Sequence, residues 1–299
     1  MSNWLVSIAG TPTGQQLALA LALLAAVLHA LFGALQKGKH DPWLSRAVID
    51  LTYGVIAAPF ALFVVPWPEP HMWPIFAGAF VIHAIYKLLQ AMTYDRGAYT
   101  VVYPVVRGTG PLFTVIGAGL VFGETYQPLQ WFGVCLLVAG ILGLAVYNLG
   151  HLEAERDTLV SALCFAAATG AFVAIYTTYD AWGIRATADP FTFLAWFFLI
   201  DGFFIPALMA RRLLSLSRTK AVPLFKRGLL GAFVAYFSFG SIMMATRLDR
   251  VGEAAVLRET STVFAALIGW LVLGEKVGLV RAGLMALIAL GAVVMEWAG

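Results

Sequence analysis

Ten stretches of mainly apolar residues follow one another along this 299-residue chain, at about 15–36, 43–65, 72–94, 98–122, 128–148, 158–182, 190–211, 226–247, 252–273 and 278–298. A helix that crosses a bilayer needs roughly 20 such residues, and each stretch is about that long. Short polar or Pro-bearing joints separate them, such as Pro66-Trp-Pro-Glu-Pro70 and Asp95-Arg-Gly97. Hydrophobic residues make up 61% of the chain and charged residues 12%, against about 25% charged in a soluble domain. With a mean hydropathy of +0.85, one soluble core could not bury this much apolar surface. The expected fold is an all-α integral membrane protein, with the lipid bilayer as its surroundings.

The other compositional signals exclude more than they propose. A net charge of +3 is too small and too scattered for nucleic acid. Cys135 and Cys164 lie in apolar stretches and read as small core residues, not as a disulfide or metal site; no metal or cofactor is expected. Met1 to Gly14 contains no Lys or Arg, which argues against a cleaved signal peptide. No joint is long enough to fold a soluble domain, the longest being Arg211 to Arg227.

A signature occurs twice, 151 positions apart. Arg107-Gly-Thr-Gly-Pro-Leu-Phe113 closes at Gly123-Glu124, and Arg258-Glu-Thr-Ser-Thr-Val-Phe264 closes at Gly274-Glu275. Asp50 matches Asp201 at the same offset, and Gly78-Ala-Phe-Val81 recurs as Gly231-Ala-Phe-Val234 at 153. The chain therefore reads as two units, residues 1–150 and 151–299, of five helices each. Five is odd, so the second unit enters the membrane from the opposite side. Two inverted repeats around a central cavity is the arrangement secondary transporters use for alternating access.

Lys and Arg placement predicts orientation. One set of joints carries thirteen of these residues and the other only Arg185, Arg247 and Arg250. The first set is expected in the cytoplasm, which puts both termini on the outer, periplasmic side.

Ten helices in two units, with Tyr103-Pro-Val-Val-Arg-Gly-Thr-Gly-Pro111 and Leu257-Arg-Glu-Thr-Ser-Thr-Val-Phe264 each followed by Gly-Glu, resemble the EamA family of the drug/metabolite transporter superfamily. Within it, the aromatic and His content of the third stretch is similar to bacterial amino-acid exporters of the YddG type. The resemblance implies a monomeric carrier that moves small metabolites, often amino acids, out across the bacterial inner membrane. It implies a cavity lined by the first, third, fourth, sixth, eighth and ninth helices, with the fifth and tenth at the periphery.

Several residues could carry that function. His83, Tyr86, Lys87, Gln90 and Tyr94 fall on one face of the third helix. Ionisable groups in a membrane are costly, about 2.5–3.5 kcal/mol each, and usually face a cavity or a polar seam; both readings stand. Arg107 and Arg258 lie on the order of 10 Å into their helices and approach from opposite membrane faces. Each could bind a substrate carboxylate bidentately as its side opens, or cap carbonyls of a neighbouring helix. Pro104, Gly108, Gly110 and Pro111 around Arg107 predict that the fourth helix is the more deformable copy. The ninth offers Glu259, Thr260, Ser261 and Thr262 instead. Tyr103 and Tyr176 are expected in the cavity, while Trp43, Tyr179 and Trp182 read as interfacial anchors. Asp50 and Asp201 are candidates for proton coupling or for structural pairing with a Lys or Arg; His29, His83 and Lys87 are rivals for coupling. The Gly-Glu pairs read as turn signals at helix ends.

The leading expectation is export of amino acids or similar metabolites. The alternative is efflux of drugs or lipophilic cations, for which Glu259 is the best available carboxylate. More basic than acidic groups, namely Lys87, Arg107, Arg258 and His83, favour a substrate bearing a carboxylate. No metal-ligand spacing or nucleophile–base pair suggests an enzyme, and no soluble signalling domain suggests a receptor.

Overall fold

The computed structural model describes residues 2–36, 41–96, 99–150, 156–271 and 278–299. Helices account for nearly all of them, and no strand occurs among the described residues. A short α1 (Ser2–Ile8) leads into α2 (Pro12–Gln36), α3 (Pro42–Phe63), α4 (Met72–Arg96), α5 (Tyr99–Phe122) and α6 (Pro128–Leu149). The second half holds α7 (Arg156–Ala186), α8 (Pro190–Asp201), α9 (Phe204–Leu208), α10 (Ala210–Leu214), α11 (Arg218–Leu248), α12 (Val251–Glu259), α13 (Ser261–Leu271) and α14 (Leu279–Trp297). Among the described residues, nine of the ten expected spans are long and apolar enough to cross a bilayer, counting α8 and α9 as one. The remaining span is broken at Thr260 into α12 and α13. The boundary expected at 150/151 adjoins residues 151–155, outside the described set, as does the second Gly274-Glu275 pair.

Local chemistry sets the helix ends. Asp41 caps α3 by accepting the backbone N–H of Trp43 and Leu44 at 2.9 and 3.1 Å, and Asp189 caps α8 through Phe191 N–H at 2.9 Å. Both caps precede a proline, whose missing N–H costs nothing in the first turn. Gly123 ends α5 in the left-handed region, with φ of 67°. Its N–H bonds Gly119 O at 3.1 Å, and the Glu124 N–H reaches back to Ala118 O at 3.4 Å. This is the glycine-terminated helix end that lets the chain turn sharply, and it aims Glu124 across the molecule.

The helices of the two halves exchange partners. α2 packs along α11, α12 and α13, while its counterpart α7 packs along α4 and α5. α3 pairs with α8, and α6 with α14. Each half thus completes the other, as an inverted pair of five-helix units must. At the α6–α14 seam a Cβ added to Gly133 would lie 2.7 Å from Gly291 O, and one on Gly291 would lie 2.6 Å from Gly133 O. Only glycine allows these backbones to touch, the usual device where lipid supplies no hydrophobic drive between helices.

The outer surface is apolar: Phe63, Leu120 and Val146 are among its exposed side chains, as a lipid-facing wall requires. Trp67, Trp73 and Trp182 are exposed near helix ends, where indoles anchor at the interface. Cys135 and Cys164 are also exposed, not in the core as expected. Lipid tails are as apolar as a protein interior, so hydropathy does not tell the two locations apart.

Candidate functional site

Three polar clusters lie between the halves. The first joins the repeated arginines. Arg107 in α5 and Arg258 at the end of α12 meet at one carboxylate: Glu259 Oε2 is 2.7 Å from Arg107 Nε, and Oε1 is 3.5 Å from Arg258 Nε. All three residues are buried, Glu259 completely. Arg107 Nη2 also donates to Ser261 Oγ at 3.1 Å, and Arg258 Nη2 to Thr177 Oγ1 at 3.4 Å. The guanidinium of Arg107 lies 5.9 Å from the Tyr103 ring centre. The two arginines, one from each half, converge on one carboxylate rather than standing apart as separate gates. Among the described residues neither Glu259 oxygen, nor either arginine Nε, has a directed hydrogen bond. Within this cluster two cations face one anion, a local excess of positive charge that a further anion nearby would offset.

The backbone break at Thr260 places this cluster. Thr260 Oγ1 donates to Leu257 O at 2.6 Å and Thr262 Oγ1 to Glu259 O at 2.9 Å. These hydroxyls satisfy carbonyls that the interrupted helix releases. The expectation that the fourth helix would be the more deformable copy is therefore corrected. α5 runs unbroken from Tyr99 to Phe122 despite its prolines and glycines, with Thr109 and Thr114 hydroxyls on the Val105 and Gly110 carbonyls at 2.9 Å each. The break falls in the ninth span, where three consecutive hydroxyl residues compete with the helix for its own backbone.

The second cluster joins the repeated aspartates. Lys87 Nζ donates to Asp50 Oδ2 at 2.7 Å, to Asp201 Oδ2 at 2.9 Å, to Asp201 O at 3.1 Å and to Tyr53 Oη at 3.3 Å. Arg46 Nε pairs with Asp50 Oδ1 at 2.7 Å, and Tyr53 donates to Asp201. Asp50 and Asp201 thus share one ammonium, and their cluster is neutral once Arg46 is included. The Asp201 carbonyl is available because α8 ends there.

The third cluster is His83 with Asp180. Their side chains meet at 2.8 Å, both buried. The His83 ring lies 4.7 Å from that of Tyr176 and 4.9 Å from that of Phe197. Tyr86 and Tyr176 are in edge contact at 4.8 Å, and Gln90 Nε2 donates to Tyr86 Oη at 2.7 Å. His29 faces Phe239 at 6.3 Å and feels the charges of Arg107 and Arg258. The single face read on α4 thus serves two partners: His83 and Tyr86 turn toward α7, while Lys87 reaches α3 and α8. The Tyr94 side chain lies outside the described set.

Between these clusters is a narrow cleft lined by Tyr176, Thr177, Asp180, Phe239, Met243 and Arg258, among others. Its volume is only about 10 Å³, room for about one water. Two larger spaces are apolar. One, about 490 Å³, is lined by Phe113, Ile175 and Trp182 from α5 and α7; the other, about 260 Å³, by Phe60, Phe233 and Phe237 from α3 and α11. Among the described residues no three His, Cys, Asp or Glu side chains converge on a metal position.

Glu124, which the sequence offers only as a turn signal, bridges the halves near Thr246 of the cleft wall, to which it is linked through Arg185. Glu124 reaches from the first half to the N-terminus of α12, accepting Val251 N–H at 2.8 Å and Gly252 N–H at 3.2 Å. Arg185 stands 3.8 Å away, and the Tyr126 hydroxyl donates to the same carboxylate. Burial and the adjoining carboxylate raise the Tyr126 phenol above its ordinary range, so it stays a donor. Arg185 Nε and Nη2 also donate to the carbonyls of Thr246 and Asp249 at 2.9 and 2.7 Å. Gly10 N–H bonds Leu248 O at 2.8 Å, and Gly299 lies against Gln130 and Glu253, so both termini sit at this end. The missed signal was positional: a glutamate just past a helix-ending glycine, repeated at a fixed distance from an arginine.

Comparison with known proteins agrees with this architecture. The sequence profile of the EamA-like transporter family matches residues 16–146 and again 160–297. Relatives include the uncharacterized protein y4nH of Sinorhizobium fredii, 36% identical over 77 residues, and the uncharacterized membrane protein YvdS of Bacillus subtilis, 32% identical over 69. These matches cover 26% and 23% of this chain and 66% and 61% of the relatives' own lengths, less than two thirds in each case. A solved crystal structure superposes with a TM-score of 0.73 over 95% of this chain and 98% of that one, at 19% identity. That likeness concerns the fold.

Proposed function

The chain belongs to the EamA-like transporter family, and from that premise we propose that it is a monomeric carrier exporting amino acids or related carboxylate-bearing metabolites across a bacterial inner membrane. Its two halves, residues 1–150 and 151–299, alternate access to a site between them. The observation that carries this reading is the meeting of Arg107 and Arg258, one from each half, on Glu259. The surplus positive charge suits an anionic group, and a guanidinium pair can take a carboxylate bidentately. Glu259 stands where a substrate carboxylate would bind. This argues against Glu259 as the site of a lipophilic cation, since its carboxylate is already held by two arginines.

The narrow cleft and the Glu124 closure support a conformation shut toward the end that bears the termini. The Lys/Arg bias of the joints makes that end periplasmic. Opening toward the cytoplasm, then release of Glu124 from α12, would move the substrate outward. Uptake of a labelled amino-acid panel into proteoliposomes, with and without a pH gradient, tests the reading. Saturable flux of at least one amino acid is expected; no flux of any of them overturns it.

A further inference from the structure

The geometry points to Asp180 as the residue that recognises a substrate ammonium group, making the site selective for zwitterions over simple carboxylic acids. This inference rests on the carrier reading above and goes further, because it assigns the opposite pole of the substrate to a residue in the other wall of the cleft.

Three observations carry it. Asp180 is buried, with only 3% of its surface exposed. Its Oδ2 is held by His83 at 2.8 Å, while among the described residues Oδ1 has no hydrogen-bond partner. A buried carboxylate oxygen left without a donor costs the full desolvation of that acceptor, so it is a place where a ligand donor is missing. The second observation is location. Asp180 and Arg258 line the same cleft, with Thr177, Phe239, Ile242 and Met243. The third is separation. Arg258 bonds Thr177, three residues before Asp180 on α7, so the positions that anchor the two poles are about 4.5 Å apart along the helix axis. Among the described residues Arg258 is in ion-pair range of Glu259 but not of Asp180. The poles line one space without direct contact. Once the cleft widens, a group carrying ammonium and carboxylate on one carbon bridges such a gap, and the apolar wall of Phe239, Ile242 and Met243 is left for its side chain. His83 acts as a positioning residue: by holding Oδ2 it turns Oδ1 toward the remaining donor.

The test compares ligands differing only in the ammonium group. Affinities of L-leucine, deaminated 4-methylpentanoate and the trimethylammonium analogue of leucine are measured by competition in wild-type proteoliposomes and in the D180N and D180E variants. In the wild type, leucine binds at least about tenfold more tightly than either analogue, as a site built for N–H donors rejects ligands that lack them. In D180N that preference falls to about one, through weaker leucine binding with 4-methylpentanoate unchanged, and D180E restores much of it. Should D180N not reach the membrane, D180S serves in its place, and the wild-type ligand series stands without any variant. Equal binding of leucine and 4-methylpentanoate by the wild type overturns the inference, as does an unchanged preference in the Asp180 variants or equal loss of both ligands. Those outcomes leave the carrier reading intact; failure of all carboxylates to bind the wild type overturns both.

Discussion

Asp50 and Asp201, 151 positions apart in the two halves, bind the same lysine ammonium: Lys87 Nζ lies 2.7 Å from one carboxylate and 2.9 Å from the other. Helices α3 and α8 cross where Gly54 meets Gly202, a Cβ on Gly54 falling 3.1 Å from the Gly202 Cα. That approach brings the aspartates close enough for one cation to serve both. Their cluster is a joint between the halves, and it accounts for why both copies retain an aspartate inside an apolar stretch.

Removing the shared cation leaves two buried carboxylates against Arg46 alone. Breaking a buried ion pair costs about 3–5 kcal/mol. Lys87→Met is expected to lower the melting temperature in detergent by about 10 °C, and the double variant K87M/D201N, which keeps the Arg46–Asp50 pair, to recover much of that loss. Thermal melts by intrinsic fluorescence check this; an unchanged melting temperature in Lys87→Met contradicts it.

Glu259 lies against both arginines, so it competes with a substrate carboxylate. Glu259→Gln keeps the shape and removes the competing charge. Affinity for transported amino acids is expected to rise by about tenfold and turnover to fall, because release then lacks a group to re-form the pair. Equilibrium binding and flux, measured side by side, separate the effects. Unchanged affinity would show that Glu259 does not stand in for the substrate.

The Glu124 contact spans the halves at the end that bears the termini. A side-chain cap is worth about 0.5–2 kcal/mol, enough to shift a two-state population by roughly tenfold. With Cys135 and Cys164 replaced by alanine, Thr246→Cys places a thiol on the cleft wall. Adding Glu124→Ala is expected to raise its labelling by a membrane-impermeant maleimide from that side about tenfold. Equal labelling with and without Glu124 rules out a latch.

At the α6–α14 seam, Gly133→Val pushes a side chain against the Gly291 carbonyl, 2.7 Å from the added Cβ. Overpacking of this kind costs about 1–3 kcal/mol or more. Thermal stability should fall while the affinity of the folded fraction for substrate stays at the wild-type level, since the seam lies away from the cleft. A selective loss of affinity would place these helices in the transport machinery.

Much of the fold was legible in the chain, and for definite reasons. Hydropathy marks the spans because most lipid-facing and core-facing side chains are apolar, and the odd count of five makes the duplication an inversion. Hydropathy is blind to which apolar face meets lipid, hence the misplacement of Cys135 and Cys164. Local propensity also misjudged the break: Pro and Gly around Arg107 pointed to α5, yet hydroxyls after Glu259 broke the ninth span. Arg107 and Arg258 were visible as a repeated pair, but their union at Glu259 was not, because that contact joins residues about 150 positions apart. Asp180 and Glu124 were hidden for the same reason: each is an ordinary polar residue near a helix end until the opposite half is packed against it.

The central claim is that the two arginines, one from each half, hold the substrate carboxylate. Flux of labelled amino acids into proteoliposomes carrying wild-type protein, Arg107→Gln or Arg258→Gln tests it most directly, with folding of each variant verified by thermal melting. The account predicts saturable flux in the wild type and at least a tenfold loss in each folded variant; wild-type flux in both variants contradicts it.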